Sequence, residues 1–511
     1  MENLDFYKSI ASTIKYPSQA YINGKYQDAI SGNVFENINP ATAEVLGTVS
    51  HCDHLDVDIA VKAARKSFDN GEWSRCAPEK RKEVLMKLAD LIRQNADELA
   101  VIESLDSGKT ITDCLDEIGG EVPDFFQWYG ELIDKTFGKV VPTGEDAAAF
   151  IVKEPVGVVG LVVPWNFPLL MAAWKMAPAL AAGCSVIVKP AEQTPLTAIR
   201  LAQLAEDAGV PPGVINILPG FGETAGEALG RHSDVDVMSF TGSTEVGGYF
   251  LKYSSESNLK TVGLEMGGKS PFIILDDAEI TDDLIENAVS SAFWNGGQNC
   301  SANMRQIVDK RLKDDYLHRI IKLTESYKVG EPLDPNTDLG SMITQEHQQR
   351  VLSYIAKGCD EGANLIAGKN GAMDREGYFI QPTILIMLIP NQLLPKRKYL
   401  ALFWELLPLM EWMRLFELHV IQNMVYMQLF LPKTLAEHFI WLGTCLLVQL
   451  VLMVLQREIL KHLLVDLKNR DLWHVIMVLK LWINICKLKQ FGLIFRRPFR
   501  PFKVNYNLNK G

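Results

Sequence analysis

The stretch EPVGVVGLVVPWNFPLLMAAWKMAPALAAGCSVIVKP, from Glu154 to Pro190, decides the fold. Within it, Val156–Val163 (VGVVGLVV) is a short uncharged run ended by Pro164, which is the texture of a strand buried on both faces of a parallel sheet. Trp174–Ala182 follows as a helix closed by Gly183, the residue type that most easily turns left-handed at a helix end. Ser185–Val188 is a second buried strand. Outward from this unit, Thr197–Ala208 reads as a helix, and Val214–Leu218 and Val237–Phe240 as further strands. Upstream, residues 54–70 and 79–105 read as amphipathic helices, the second with apolar positions three and four apart in KEVLMKLADLIRQNADELAVIESL. Strands alternating with helices predict an α/β protein built on a doubly wound parallel sheet. Ligands of such sheets sit at the strand C-terminal ends. Here those ends are Pro164-Trp165-Asn166-Phe167, Lys189-Pro190, Pro219-Gly220-Phe221-Gly222 and Thr241-Gly242-Ser243.

Composition narrows the function. The chain has 511 residues, a formal net charge of -11 and 48% hydrophobic residues, a soluble globular balance with no basic face for nucleic acid. Its eight cysteines are scattered without C-x-x-C spacing, so neither a metal site nor a redox motif is expected, and free thiols suit the cytoplasm. The N-terminus MENLDFYKSIAS lacks the basic and apolar regions of a signal peptide.

The strand ends suit a nucleotide. Lys189 and Glu192 can hydrogen-bond ribose hydroxyls, and Gly242 and Ser243 open a helix whose free N–H groups and dipole favour a phosphate. Gly220, Gly222 and Gly226 do not fit G-x-G-x-x-G spacing, and a solvated ion pair with ordinary turn glycines would read the same way. Cys300, in FWNGGQNCSANMR, has glycines before it and polar neighbours, so a thiolate there can attack an aldehyde; a buried, inert cysteine is the plainer reading. Glu265, in LEMGGKSP, is either a general base or a turn glutamate. Asn166 either donates to an oxyanion or caps the following helix.

Taken together, PWNFP, KPAEQTP, FTGSTEVG, LEMGGKSP and GQNC, in this order, resemble the aldehyde dehydrogenase superfamily from about Ala20 to Leu385. The resemblance implies Cys300 as nucleophile, Glu265 as the base for deacylation, Asn166 with the Cys300 N–H as the oxyanion hole, and Lys175 as a supporting polar position. It implies a cofactor site at Val163, Pro164, Trp165, Lys189, Glu192, Gly222, Phe240, Gly242, Ser243 and Val246, holding NAD, with NADP also admissible. Glu192 favours NAD, because a carboxylate repels a 2′-phosphate. A substrate tunnel would be lined by Phe167, Leu170, Trp174 and Trp294, for which core packing is the alternative. The stretch is most similar to the γ-glutamyl-γ-aminobutyraldehyde and betaine-aldehyde dehydrogenase group, which implies an aminoaldehyde substrate. The family pattern also implies an NAD-binding domain over 20–133 and 155–267, an oligomerisation arm over 134–154, a catalytic domain over 268–386, and a homodimer or homotetramer.

After Ile386 the texture changes: Leu, Met, Val and Trp crowd together and glycine almost vanishes. Family segments similar to KEEIFGPVL, YGLAAAVFTKD and PFGGFKKSG are missing from the protein sequence. All three return if translation starts at the third base of each codon. Pro395–Trp404 then becomes compatible with the first, Asn423–Thr434 with the second, His462–Asp471 with the third, and Lys489–Leu493 with T-V-W-T, before a stop within Phe495-Arg496. A frameshift near Ile386–Met387 is therefore expected, with 387–511 read out of frame, not natively folded, and lacking the strands that would pair with the arm. The rival readings are a membrane anchor through the uncharged run Phe439–Leu455, and an inactive cofactor-binding remnant. The frameshift explains that run without a membrane, since shifted codons with a central T encode apolar residues.

Overall fold

The computed structural model describes residues 2–386 and two short strands, 428–430 and 488–491. It opens with helix α1 (Leu4–Thr13), a hairpin of β1 (Ala20–Ile22) and β2 (Lys25–Gln27), and a second hairpin of β3 (Val34–Asn39) and β4 (Glu44–Ser50). Helices α2 (His54–Asn70), α3 (Pro78–Gln94), α4 (Ala96–Ser107), α5 (Ile111–Asp116) and α6 (Val122–Leu132) follow, with a π-helical turn, Glu117–Glu121, joining the last two. A hairpin of β5 (Lys139–Val141) and β6 (Ala149–Lys153) comes next. The decisive stretch then folds as a βαβ unit of β7 (Val158–Val162), α7 (Pro168–Ala182) and β8 (Ser185–Lys189). It continues into α8 (Leu196–Ala208), β9 (Ile215–Ile217), α9 (Glu227–Arg231), β10 (Val237–Gly242), α10 (Thr244–Ser255) and β11 (Thr261–Met266).

These strands build one seven-stranded sheet in the order β11-β10-β7-β8-β9-β1-β2. The five strands from β11 to β9 are parallel, and β1 and β2 close one edge antiparallel. Every residue of β7 and β8 is buried, which is why their sequences show no polar alternation. Helices cover both faces: α3, α6, α7 and α8 pack on one, while α2, α9 and α10 supply Val57, Ala60, Val61, Ala64, Leu229 and Phe250 to the other. The register aligns Val162 with Lys189 and with Phe240, and Thr241 with Glu265, so four strand ends open on one side of the sheet. The doubly wound expectation is borne out.

Two helix boundaries differ from the sequence reading. The run 79–105 is two helices, because Asn95 leaves helical geometry (φ -110, ψ 19) and its amide donates to the Leu91 carbonyl at 2.7 Å. Apolar spacing does not register a one-residue break when the period resumes beyond it. Helix α7 starts at Pro168, earlier than Trp174, since proline at the first helical position lacks only an N–H the helix does not use.

A second core is built from residues 272–386. It contains β12 (Pro271–Ile274), α11 (Asp282–Phe293), β13 (Arg305–Val308), α12 (Lys313–Ser326), α13 (Gln345–Asp360), β14 (Asn364–Ala367) and β15 (Ile384–Ile386). Strand β16 (Gln428–Phe430) extends the β13-β12 sheet in parallel, and β17 (Leu488–Phe491) pairs antiparallel with β6. The expectation that no strand in this frame pairs with the arm is therefore corrected at the level of the main chain. Ladder hydrogen bonds join N–H to C=O and are indifferent to side-chain identity. Both strands overlap segments, Asn423–Thr434 and Lys489–Leu493, that the sequence reading finds compatible with other residues in a shifted frame. The rest of 387–511, including the run Phe439–Leu455, lies outside the described residues. Among the described residues no helix is long and apolar enough to cross a membrane.

Candidate active site

Cys300 is placed by an unusual turn. After α11, Asn295, Gly296 and Gly297 take positive φ values of 53, 63 and 75 in succession. The turn leads directly into Gln298–Cys300. A side-chain carbon on Gly296 would come 2.9 Å from Met342 Cε, the mobile end of a flexible side chain, so it is the positive φ that favours glycine here. Two crossed hydrogen bonds then tie this turn to the end of β7. Asn295 Nδ2 donates to the Asn166 carbonyl at 2.8 Å, and Asn166 Nδ2 donates to the Gln298 carbonyl at 2.8 Å. An amide has two N–H donors, so Asn166 keeps a second one for a ligand oxygen. Gln298 is itself pinned, its Oε1 accepting from the Ile343 N–H at 3.0 Å.

Glu265 reaches the same region from β11. Beyond that strand, the Gly268 N–H donates to the Cys300 carbonyl at 3.4 Å, and Arg305 donates to the Lys269 carbonyl at 2.7 Å. Both Glu265 and Cys300 are half-buried. Lys175, on α7, is buried and donates to Ser239 Oγ at 2.8 Å. Burial pushes its ammonium down to about 8, opposed by the charge of Glu265. Hydrogen bonds thus link the segments that carry Cys300, Asn166 and Glu265, and Lys175 lies within electrostatic reach of Glu265. No cluster among the described residues can hold a metal ion.

The strand ends form a second set beside it. Lys189, buried, donates to Glu192 Oε2 at 2.8 Å. Burial works to raise the Glu192 carboxyl, but the Lys189 charge and hydrogen bond more than offset it and hold it below the usual range. Ser243 caps α10, its Oγ accepting from the Val246 N–H at 3.2 Å, and Val246 is exposed. Gly242 sits against the Phe240 ring, where a Cβ would lie 2.5 Å from Cζ. The ring of Phe240 is buried and stacked on Phe250 at 4.9 Å, so it faces the core and only its main chain lies at the strand end. Gly222 starts a π-helical turn, Gly222–Gly226, with open space where its side chain would be. Val163 is buried at the end of β7, with Pro164 and Trp165 following it. Trp165 meets His347 edge to face at 5.3 Å.

Phe167, Leu170 and Trp174 share one face of α7, at its cap and at intervals of three and four residues. The rings of Phe167 and Trp294 lie 5.0 Å apart, and Trp174 stacks on Phe125 at 6.0 Å. Trp294 is 36% exposed, whereas Phe167 is buried. The sequence reading missed Phe125, His347, Asn295 and Gln298. The last two carry a signal in hindsight: amide side chains among glycines beside a nucleophile are well suited to bracing main-chain carbonyls.

Residues 26–397 match the Aldehyde dehydrogenase family. Aminoacetaldehyde dehydrogenase of Pseudomonas aeruginosa is 47% identical over 385 residues, covering 75% of this chain and 77% of that protein. The solved γ-glutamyl-γ-aminobutyraldehyde dehydrogenase from Burkholderia cenocepacia superposes with a TM-score of 0.80 at 37% identity, over 85% of this chain and 89% of that one. Indole-3-acetaldehyde dehydrogenase of P. syringae, solved with NAD+ and IAA, superposes with a TM-score of 0.78 at 41% identity, over 80% and 83% of the two chains. The chain belongs to the aldehyde dehydrogenase family.

Proposed function

We propose that this protein oxidises an aldehyde to a carboxylic acid with NAD as oxidant and Cys300 as nucleophile. The observation that carries the reading is the crossed pair of hydrogen bonds that fixes Asn166 against the turn leading into Cys300. The Cys300 thiolate adds to the carbonyl carbon, and the new alkoxide is met by the second Asn166 N–H and the Cys300 N–H. When bound, NAD accepts the hydride that this alkoxide expels, leaving a thioester on Cys300. Glu265 then takes a proton from water as its oxygen adds to the thioester, the acid and the Cys300 thiolate are released, and Glu265 passes its proton to solvent. Lys175 is charged below about pH 8, the charge of Glu265 partly offsetting the effect of burial on its ammonium.

The strand-end residues fit a dinucleotide. The Lys189–Glu192 pair offers a donor and acceptors to ribose hydroxyls, the start of α10 offers free N–H groups to a phosphate, and the space beside Gly222 admits a flat group. NAD in the solved relative from P. syringae supports this placement. The substrate class we infer is an aminoaldehyde, supported by the names of the relatives and by the aromatic pairs along α7. We assign the NAD-binding domain to 20–133 and 155–267, the arm to 134–154 and the catalytic part to 268–386, in a cytoplasmic homodimer or homotetramer. We also read 387–511 as out of frame. The family match ends at residue 397, and almost a quarter of the P. aeruginosa relative finds no counterpart here.

The test uses a coding sequence returned to frame at Ile386–Met387. kcat/KM is compared for 3-aminopropionaldehyde, betaine aldehyde and acetaldehyde with NAD. Preference for either nitrogenous aldehyde supports the substrate class, preference for acetaldehyde rejects it, and absence of NADH formation with all three rejects the function.

A further inference from the structure

Beneath the Phe167 wall lies a cluster the reaction does not use. Lys109 is fully buried and bonded to Glu103 Oε1 at 3.2 Å and Glu117 Oε2 at 2.5 Å, and both carboxylates are buried as well. Burial opposes the charge on Lys109, but the facing carboxylates of Glu117 and Glu103 more than restore it and raise its pKa above the ordinary lysine value. Among the described residues Glu117 Oε1 has no hydrogen-bond partner. A buried ion cluster of this kind is weak evidence of a stabilising role, since well-packed apolar residues of similar volume often serve a fold as well.

The contacts of the cluster point in one direction. Lys109 Nζ lies 4.4 Å from the centre of the Phe167 ring, within the range of a cation on an aromatic face. Glu103 Oε2 accepts the Leu169 N–H at 3.1 Å and the Thr197 hydroxyl at 3.4 Å. Leu169 stands in the first turn of α7, where N–H groups have no partner within the helix. The residue before Phe167 is Asn166.

We propose that Glu103, Lys109 and Glu117 are positioning residues for acyl transfer: they fix the Phe167 ring and the first turn of α7, and through them the Asn166 amide that donates to the Gln298 carbonyl, two residues before Cys300. Glu103 holds the helix start as a carboxylate cap, Lys109 holds the ring, and Glu117 holds Lys109. The inference rests on the reading of Cys300 as nucleophile.

The test needs no cofactor. In the full chain, p-nitrophenyl acetate acylates the nucleophile in a reaction that draws on the oxyanion donor, whereas iodoacetamide alkylates the same thiol without one. The variant Lys109→Met/Glu117→Gln removes the ion pair from the cluster. It is expected to slow the acylation burst roughly ten- to a hundredfold, as a displacement near 1 Å does, with alkylation unchanged within about twofold and a cooperative melt retained. Glu103→Ala should show the same loss, and Glu103→Gln, which keeps an acceptor for the Leu169 N–H, should recover most of it. Unchanged acylation in any folded variant that removes the ion pair or the cap overturns the positioning role. Should the double variant not fold, the comparison of Glu103→Ala with Glu103→Gln decides. Equal rates for those two overturn the proposal. Acylation that survives Cys300→Ala would instead overturn the assignment of the nucleophile.

Discussion

Replacing Lys175 by methionine should make the protein more stable at neutral pH, and the gain should fade as pH rises. Lys175 is buried on α7, and burial brings its pKa from 10.5 down to about 8. A shift of about 2.5 units corresponds to roughly 3 kcal/mol between the two protonation states. The folded pKa lies below the unfolded one. Between pH 8 and 10.5 the unfolded chain therefore binds more protons, and stability rises with pH across that window. Below pH 8 the penalty is present in full, and above 10.5 it is gone. Methionine removes the penalty but leaves Ser239 Oγ without its donor, which costs about 1 kcal/mol. The expected net gain at pH 7 is about 2 kcal/mol, turning into a small loss near pH 10.5. Urea unfolding of both proteins at pH 7, 8, 9 and 10 reads this directly, since other titrating groups cancel in the difference. A methionine variant less stable than the parent at pH 7, or a difference that does not change with pH, would refute the reasoning.

The other expectations concern the site and the frame. Asn166→Ala should lower the acylation rate of Cys300 about a hundredfold or more, as loss of one oxyanion donor does, while iodoacetamide alkylation stays unchanged. Glu192→Ser should raise kcat/KM with NADP relative to NAD, because the carboxylate that repels a 2′-phosphate is removed; an unchanged ratio would take Glu192 away from the ribose. Restoring the frame at Ile386–Met387 should produce steady NADH formation from an aminoaldehyde, whereas the chain as written acylates Cys300 without sustained turnover. Equal turnover from the two would sink the frameshift, as would a nucleotide sequence that does not re-read Pro395–Trp404 as KEEIFGPVL.

Much of this fold is legible because its strands are buried on both faces. An uncharged run such as VVGLV ended by proline or lysine has few other places to go, and β7 and β8 appear where it predicts. Cys300, Glu265 and Asn166 were legible as candidates through the residue types around them, and Lys175 only through the family resemblance. What escaped was non-local. That Asn295 braces the Asn166 carbonyl, 129 positions away, follows from the left-handed turn at 295–297, and no periodicity announces it. The Glu103–Lys109–Glu117 cluster drew no reading from the sequence, since three charges near one another in sequence are usually solvated. The break at Asn95 was hidden because a single residue with a side-chain bond to Leu91 interrupts the helix without disturbing the apolar spacing. Phe240 was legible as a strand-end residue but not as a core ring, since the side to which a strand residue points depends on what covers each face.

The measurement that bears most directly on the central claim is the intact mass of Glu265→Gln, prepared from the frame-restored gene and mixed with NAD and 3-aminopropionaldehyde. Oxidation needs Cys300 and its oxyanion donors, and release needs the base. The variant should therefore form about one equivalent of NADH and then stop, with the mass of the acyl group added to the protein and mapped to the Cys300 peptide. Sustained NADH formation by this variant, or an adduct on any residue other than Cys300, would contradict the account.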